Sequence, residues 1–542
     1  MTLTTHTTMA EQIAGEFLQS VVLVDDEAEF ASWHSAEDDA VDPNAMNPRR
    51  SRKPALKPPG PHANRLDARL VADGFAEKGI VCAILQPRRD EEEEVTARTL
   101  TVARRADVLV LDWDFYGDNG RDALELLLAV LQHDKRDHRS RLIAIYTAAP
   151  SLRAIAAQVH DKLRSVYGRR AATRKGAFRV DTAVGRVVVY AKPDTGMRVT
   201  MRESRRRVVA YERLPEIIVR EFAEWTQGLV SNTALKAVAA VRTNTHQLLR
   251  KLSPELDPGY LWHRALQSDP ADAEEHLVSI IASEFRSILD DTDVRSAAGL
   301  PAIREWLGRR PLDDYAPRFD APSHRSAADL LDLLEFGTAG DTEESKRLIQ
   351  RFSSLRADKA HKKSIAAFAT SAPAALRANE EFAALTSLRT QYRRPLPRLA
   401  LGTIISRGRG ANRRYWVCLQ PRCDSVRIHG GVPFPMLPLE PALDAAFQVL
   451  LPGNGRRRSI RLALKAKPRR LEMIQFSALS PTGCVTADVG NRGFTFVDSK
   501  RNVYRWEGEL KFEPAQRVAE ILAREFSRVG LTESEWLRLW SK

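Results

Sequence analysis

The stretch VLVLDWDFYGDNG, residues 108–120, places four apolar residues directly before a run of acidic, aromatic and glycine residues. An apolar run this short, bounded by polar residues, is typical of a buried strand in a parallel sheet. Residues that follow such a strand lie at its carboxyl end, where open α/β sheets bind their ligands. The stretch therefore predicts a strand that delivers Asp112 to a ligand site.

Four other segments repeat this pattern of a short, mostly apolar run. They are residues 21–24, 80–85, 142–146 and 186–190, with helical patterns near 65–78, 92–105, 122–131 and 152–166. Alternating strands and helices indicate a doubly wound α/β domain with a parallel sheet. We expect this domain at residues 1–200, with a Pro-rich insertion at 33–62, a basic loop at 168–178 and a hairpin turning near 183–185.

The rest of the chain changes character twice. Between residues 201 and 400 apolar residues recur with a helical period, which indicates an all-α connector. Residues 401–542 contain strands separated by Gly and Pro and end in helical patterns, including one at 533–540, which indicates a β-rich α+β domain. A chain of 542 residues has room for about three or four domains. We therefore predict a multidomain protein whose first domain is flavodoxin-like.

The basic character of the chain is concentrated in its last quarter. The net charge is +13, and residues 401–542 hold 24 Lys and Arg against 13 Asp and Glu. An excess of this size predicts an anionic partner, either nucleic acid or an acidic protein. Basic runs at 407–414, 456–461 and 465–470 could follow a phosphate backbone. We find no DNA-reading motif such as a helix-turn-helix, which argues against a conventional transcription factor.

The first twenty residues, the lack of a long apolar window and the cysteines predict the cellular compartment. The first twenty residues lack the basic start and apolar stretch of a signal peptide, and no window holds 18 uncharged apolar residues. Four irregularly spaced cysteines do not form a disulfide framework in so long a chain. We expect a cytoplasmic protein with no membrane partner.

Polar side chains, most of them charged, follow four of the predicted strands. Asp25 and Asp26 follow the first strand, Asp112 the third, Thr147 the fourth and Lys192 the fifth. Clustered carboxylates repel one another, and a hard cation such as Mg²⁺ relieves this repulsion by taking oxygen ligands. A metal, a lysine and a hydroxyl directed at one point suit phosphoryl transfer, in which a carboxylate can be the nucleophile. The sequence predicts such a site, with Asp112 as the nucleophile.

These residues carry a family resemblance. VVLVDDE (21–27), VLVLDWDFYGDNG (108–120), LIAIYTA (142–148) and YAKP (190–193) resemble the successive motifs of the receiver domain of two-component response regulators. The glycine eight residues after Asp112 also matches that family's pattern. The resemblance covers roughly residues 18–200 and implies that Asp112 is the phosphoacceptor.

The resemblance also implies roles for the neighbouring residues. Asp25 and Asp26 would hold Mg²⁺ together with Asp112, and Asp114 would offer its backbone carbonyl to the metal. Thr147 would be the switch hydroxyl, and Lys192 would contact the phosphoryl oxygens.

Several features depart from the family's pattern. The stretch from Thr147 to Lys192 is long, and the aromatic switch position three residues before the lysine is Val189, with Tyr190 next to it. These departures concern the output surface more than the phosphorylation site.

The resemblance also bears on partners. It implies a histidine kinase as phosphoryl donor, and we also consider a homodimer. Outside the receiver the chain resembles receiver-containing proteins of bacterial conflict or phage-defence loci, which lie beside a histidine-kinase-like ATPase.

A second candidate cluster lies in the basic region. Cys423, Asp424 and Arg427 fall between two predicted strands, one of which contains Cys418. They could form a nucleophile with its orienting groups, or a metal site with Cys484. Alternatively, Cys418 packs in a core, Asp424 caps a turn and Arg427 is its ion-pair partner.

The sequence therefore favours a signalling protein that accepts a phosphoryl group on Asp112 and relays the change to its helical and basic regions. The competing hypothesis is a nucleic-acid-binding or enzymatic effector in which the receiver serves only for docking or dimerisation. The sequence contains no separate catalytic domain that we can identify.

Overall fold

A computed structural model of the chain provides the three-dimensional description. The described residues are 8–30, 66–87, 92–168, 171–193, 205–270, 272–309, 327–337, 342–351, 368, 371–391, 396–442, 448–453, 459–478, 483–490, 493–527 and 540. The chain divides into two compact units, residues 1–310 and 311–542. The insertion predicted at 33–62 lies outside the described residues, and the domain borders predicted at 200 and 400 stay predictions.

The first unit is built on a seven-stranded sheet and a separate two-stranded pairing. Its strands are β1 (Ser20–Val24), β2 (Ala28–Glu29), β3 (Leu66–Asp67), β4 (Val81–Leu85), β5 (Val108–Leu111), β6 (Arg141–Thr147), β7 (Ala172–Arg174), β8 (Arg179–Thr182) and β9 (Gly185–Ala191). The seven-stranded sheet has the order β4-β1-β5-β6-β9-β8-β7, and its first five strands are parallel. This order confirms the predicted flavodoxin-like fold.

Helices cover both faces of this sheet. They are α1 (Met9–Phe17), α2 (Ala68–Glu77), α3 (Glu92–Ala103), α4 (Arg121–Asp137), α5 (Leu152–Tyr167) and α6 (Leu214–Thr226). Successive strand residues point to opposite faces, so Val21 packs with Phe75 and Ile218 in one core, whereas Val22 packs with Leu127 in the other. The four inner parallel strands, β1, β5, β6 and β9, are therefore buried on both faces, as their continuous apolar runs require. Strand β4 lies at the edge of the sheet and is partly exposed.

Two elements of this unit differ from the sequence expectation. The stretch predicted as a basic loop contains β7, which pairs antiparallel with β8 and extends the sheet beyond the confirmed hairpin. Only Ala172 of β7 is buried, so this short edge strand has no apolar run that could reveal it. Helix α1 was not predicted, although Thr8 and Glu11 form a capping box at its start.

Helices dominate the middle of the chain, as predicted. They are α7 (Leu229–Lys251), α8 (Asp257–Leu266), α9 (Asp272–Asp291), α10 (Leu300–Gly308), α11 (Ala327–Phe336), α12 (Glu343–Arg351) and α13 (Ala372–Ser387). None of the helices in the described ranges has both the length and the apolar character needed to cross a membrane.

An ion pair fastens α7 to the receiver sheet. The guanidinium of Arg242 lies 2.8 Å from Oδ1 of Asp107 and also donates to the carbonyl oxygen of Phe17 at the end of α1. Asp107 immediately precedes β5, so this attachment lies at the amino end of the strand whose other end leads to Asp112.

The second unit contains a nine-stranded antiparallel sheet and a final helix. Besides α11, α12 and α13, its elements are β10 (Thr403–Arg407), β11 (Arg414–Cys418), β12 (Gly431–Pro441), β13 (Val449–Leu451), β14 (Ile460–Leu464), β15 (Glu472–Ser477), β16 (Asp488–Gly490), β17 (Gly493–Val497), β18 (Val503–Glu509) and α14 (Phe512–Phe526). This composition confirms the predicted β-rich region. The helix predicted at 533–540 lies outside the described residues except for Trp540.

Part of this sheet closes on itself around an aromatic core. A bridge between Phe476 and Asp498 joins β15 to the turn after β17. Strands β10, β11, β12, β15, β17 and β18 each contribute to the core, whose large side chains include Trp416, Phe434 and Tyr504. We call this part of the sheet the aromatic barrel. A second core, on which α14 packs, contains Leu437 and Leu522.

Candidate functional site

Three carboxylates meet at the carboxyl edge of the receiver sheet. Asp25 and Asp26 follow β1, and Asp112 follows β5, its neighbour in the sheet. One oxygen from each of the three carboxylates lies within 4.8 Å of the others. Asp25 and Asp112 are buried and Asp26 is half-buried. The structure therefore brings together the three side chains that the sequence predicted as metal ligands.

Lys192 reaches two of these carboxylates. Its Nζ lies 2.8 Å from Oδ2 of Asp25 and 3.0 Å from Oδ2 of Asp112, and the side chain is fully buried. The backbone amide of Lys192 donates to the carbonyl oxygen of Thr147, which ends β6. The ends of β1, β5, β6 and β9 thus place all the predicted side chains at one edge.

Backbone hydrogen bonds fix the acidic residues just beyond the strands. The amide of Asp112 donates to the carbonyl oxygen of Val24, and the amide of Asp25 donates to that of Leu85. The side chains are oriented locally, since Oδ1 of Asp112 accepts from the amide of Trp113 at 2.7 Å. The backbone hydrogen bonds that pair β1 with β4 and with β5 therefore continue to Asp25 and Asp112 and fix their positions.

The loop after β5 also shapes the site. The amide of Tyr116 donates to Oδ2 of Asp26 at 2.9 Å, and Tyr116 adopts a left-handed backbone conformation with φ 57°. The loop ends at Gly120, which has φ +87°. A Cβ on Gly120 would lie 2.1 Å from the indole of Trp113, so this position requires glycine. Asp114 is held in the loop through its side chain, which accepts from the amide of Asn119.

The site's electrostatics favour bound positive charge. The pKa of Asp25 is raised to about 7, because burial and the charge of Asp112 raise it by more than Lys192 lowers it. Burial also raises the pKa of Asp26. For Lys192, burial acts to lower the pKa, but Asp112 and Asp25 outweigh it and the pKa is raised. Three carboxylates facing a single ammonium leave an excess of negative charge.

Mg²⁺ suits this donor set. Oδ1 of Asp26 is buried and has no hydrogen-bond partner among the described residues, although burying an unpaired charged oxygen is costly. Mg²⁺ prefers one or two carboxylates together with waters and phosphate oxygens. Asp25, Asp26 and Asp112 could therefore hold this ion, and the predicted contribution of the Asp114 carbonyl stays a prediction.

The sequence did not reveal a second buried charge network near the site. The hydroxyl of Tyr190 donates to Oε1 of Glu221 on α6, and Arg179 and Arg207 lie 2.6 and 3.1 Å from the same oxygen. Val189, at the family's aromatic position, packs in the opposite core. No local motif could have identified Glu221, because its partners lie 14 to 42 residues away along the chain.

The second candidate cluster has a different environment. Cys418 is buried in β11, whereas Cys423 and Asp424 lie on an exposed turn. Burial raises the pKa of Cys418 to about 12, which opposes thiolate formation. In the described part of the chain the only group of three or more His, Cys, Asp or Glu residues placed to hold a metal is Asp25, Asp26 and Asp112. A role for Cys423, Asp424 and Arg427 stays a prediction.

Two of the predicted basic runs are partly neutralised within the second unit. Lys465 and Arg470 both pair with Glu440, and Lys467 lies 2.6 Å from Glu525. Arg461 pairs with Glu380, while residues 456–458 lie outside the described ranges. The run at 407–414 differs, because it borders a cavity of the aromatic barrel.

A flavodoxin-like sheet defines a receiver-type domain when carboxylates follow the first and third of its parallel strands in chain order, a hydroxyl ends the fourth and a lysine follows the fifth. Residues 17–196 match the family described as the response receiver domain, so this segment is a receiver domain. A receiver domain supports a function of the response-regulator or phosphorelay kind, in which a histidine kinase is the general partner. Neither the curated proteins nor the solved structures contain a match to the chain.

Proposed function

We propose that the chain is a phosphorelay protein that accepts a phosphoryl group on Asp112. The observation that supports this proposal best is the contact of Lys192 with Asp112 and Asp25 in a buried site with a third carboxylate. An ammonium in this position can offset the charge of a phosphoryl group on Asp112.

The transfer needs little covalent chemistry from the protein. A carboxylate oxygen of Asp112 forms a bond to phosphorus while the bond from phosphorus to the donor breaks, and the donor leaves with that electron pair. Bound Mg²⁺ would supply positive charge to the phosphoryl oxygens. Asp25 and Asp26 would contribute oxygen ligands for it, and Lys192 would hold its ammonium against the product.

Thr147 is suited to respond to the phosphoryl group. Its hydroxyl oxygen accepts from the amide of Ala149 at 3.1 Å. The hydroxyl proton has no acceptor among the described residues and can be donated to a phosphoryl oxygen. The proposal therefore assigns Thr147 the detection of phosphorylation and the regions after residue 200 the output.

The direct test is to incubate the full chain with acetyl phosphate and Mg²⁺ and to weigh the intact protein. We expect the mass of one added phosphoryl group, which disappears in Asp112→Asn and on addition of EDTA. Asp73→Asn, at an exposed position of α2, is the matched control and should be labelled like the wild type. An adduct that persists in Asp112→Asn, or no adduct in the wild type, would exclude Asp112 as the phosphoacceptor.

The physiological donor completes the proposal. We propose a histidine kinase or a histidine-kinase-like ATPase as donor, and a role in anti-phage defence. Labelling of Asp112 by acetyl phosphate but by no such kinase would favour the alternative, in which the receiver serves only for docking or dimerisation.

A further inference from the structure

A cavity of about 530 Å³ opens at one end of the aromatic barrel in the second unit. Pockets that hold small ligands fall in this size range. Trp416 and Tyr504 lie at its base and are almost fully buried, while Arg407, Arg414, Asn412 and Lys500 lie around it and are exposed. The cavity therefore combines aromatic residues with a basic rim.

The two carboxylates of the cavity are already engaged. Glu472 accepts from Arg414 at 2.6 Å and from the indole nitrogen of Trp416 at 3.0 Å. Asp498 accepts from the backbone amides of Lys500 and Asn502, the side-chain amide of Asn502 and the hydroxyl of Tyr504. Neither carboxylate is therefore available to bind a cation, and the cavity does not resemble a metal site.

Two basic side chains at the rim of the cavity form no ion pair within the described residues. Arg407 and Lys500 form no ion pair with a carboxylate of the described residues, and Arg407 lies over the ring of Tyr504 at 5.9 Å. Arg409 is exposed on the hairpin between β10 and β11. The tight turn of this hairpin depends on Gly408, which has φ +95° and approaches the backbone of Asn412. Positive charge at the rim is thus available to an anion.

The walls also offer a planar surface. The guanidinium of Arg414 lies 5.0 Å from the centroid of the Trp416 ring. Guanidinium and aromatic planes are the surfaces on which unpaired bases stack. The side-chain amide of Asn412 can both donate and accept hydrogen bonds, as the edge of a base requires.

We infer that this cavity binds a nucleotide unit, with its phosphate at Arg407 and Lys500 and its base against Arg414. The unit could be a free nucleotide or one residue of a single-stranded nucleic acid, and Arg409 separates the two sources. Arg409 would meet a neighbouring phosphate of a strand, whereas a mononucleotide has no such phosphate. A paired base of a duplex lacks a free face and edge for the cavity. This inference does not depend on phosphorylation of Asp112.

The experiment measures binding of the full chain to fluorescein-labelled single-stranded DNA and RNA, to the matching duplexes and, by competition, to mononucleotides. We expect the double variant Arg407→Ala, Lys500→Ala to weaken single-strand binding about tenfold or more and to flatten its salt dependence, since each lost phosphate contact reduces the slope by about 0.7. The matched control Lys465→Ala, Arg469→Ala removes the same charge from another basic run and should change affinity by less than about threefold.

The remaining variants distinguish the sources. If strands bind more tightly than mononucleotides and Arg409→Ala weakens binding of strands alone, the ligand is a strand. If mononucleotides bind at least as tightly as strands and Arg409→Ala changes neither affinity, it is a free nucleotide. Circular dichroism of each variant would verify that the barrel remains folded. Wild-type affinity in the Arg407, Lys500 double variant, equal binding of duplexes, or no binding of any probe at near-physiological salt would overturn the inference.

Discussion

Removing the ammonium from the receiver site should cost a large part of the domain's stability. In Lys192→Met the two carboxylates that now contact Nζ at 2.8 and 3.0 Å would remain buried without a cation. The Coulomb energy of each contact is about 6 kcal/mol at an effective dielectric constant of 20. The desolvation of the lysine offsets much of this sum, and breaking a buried pair from one side costs about 3–5 kcal/mol in measured cases. We therefore expect a loss of that size.

The assay is thermal unfolding of the full chain in EDTA, followed through the transition that contains the receiver. For a domain of 150–250 residues, about 3–5 kcal/mol corresponds to a fall in Tm of roughly 6–20 °C. Adding Asp25→Asn to Lys192→Met should recover part of the loss, because it removes one of the unpaired charges. Mg²⁺ should also stabilise the single variant, because the freed carboxylates are cation ligands.

The matched control is Lys162→Met, since Lys162 lies on the exposed surface of α5. We expect it to change stability by no more than about 0.5 kcal/mol. If Lys192→Met proved as mild as this control, or if Asp25→Asn lowered the stability of the double variant further, the argument from buried charge would be wrong.

Three other predictions concern single positions. Gly120→Ala should destabilise the receiver more than Gly117→Ala, as measured by urea unfolding. Both glycines have positive φ, and a side chain in this conformation costs about 1–3 kcal/mol of stability. Only the alanine at position 120 would also place its Cβ against the indole of Trp113. Glu221→Gln should reduce the free energy of unfolding at pH 7 and have little effect well below pH 4. Burial raises the pKa of Glu221, but its guanidinium and phenol partners lower it by more, so that the pKa lies below 4.5. The stabilisation from this carboxylate is therefore present above pH 4.5 and is lost as the pH falls through its lowered pKa. Iodoacetamide at pH 8 should label Cys423 in the native protein and leave Cys418 unmodified, because burial raises the pKa of Cys418 to about 12; peptide mass spectrometry would show equal labelling if this were wrong.

The receiver site could be predicted from sequence because its geometry follows from local patterns. Asp25, Asp112 and Lys192 each come directly after a buried strand, and Thr147 is the last residue of another. Parallel strands bring their carboxyl ends to one edge of the sheet. The doubly wound parallel sheet followed from the alternation of strands and helices, whereas the order of its strands came from the structure. Here the local sequence patterns agree with the overall fold, and under this condition the structure of a site can be predicted from sequence.

Other features depend on contacts between distant segments. Glu221 is an ordinary charged residue of a helical pattern, and only the packed structure gives it the partners Arg179 and Tyr190. The cavity depends on the closure of the barrel between Phe476 and Asp498. These residues belong to segments that are not joined by a turn, so no local sequence motif predicts their pairing. Pairings of this kind are set by tertiary packing, so periodicity along the chain does not reveal them.

The two buried charge networks of the receiver are joined by a very short piece of chain. Lys192 contacts Asp112, and Tyr190, two residues earlier, contacts Glu221 on α6. An extended chain advances about 3.3 Å per residue, so the two attachment points lie only about 7 Å apart along it. Such a short extended segment cannot change its length enough to absorb a shift at either end. A displacement of Lys192 would therefore also displace Tyr190 and, through Glu221, the helix α6.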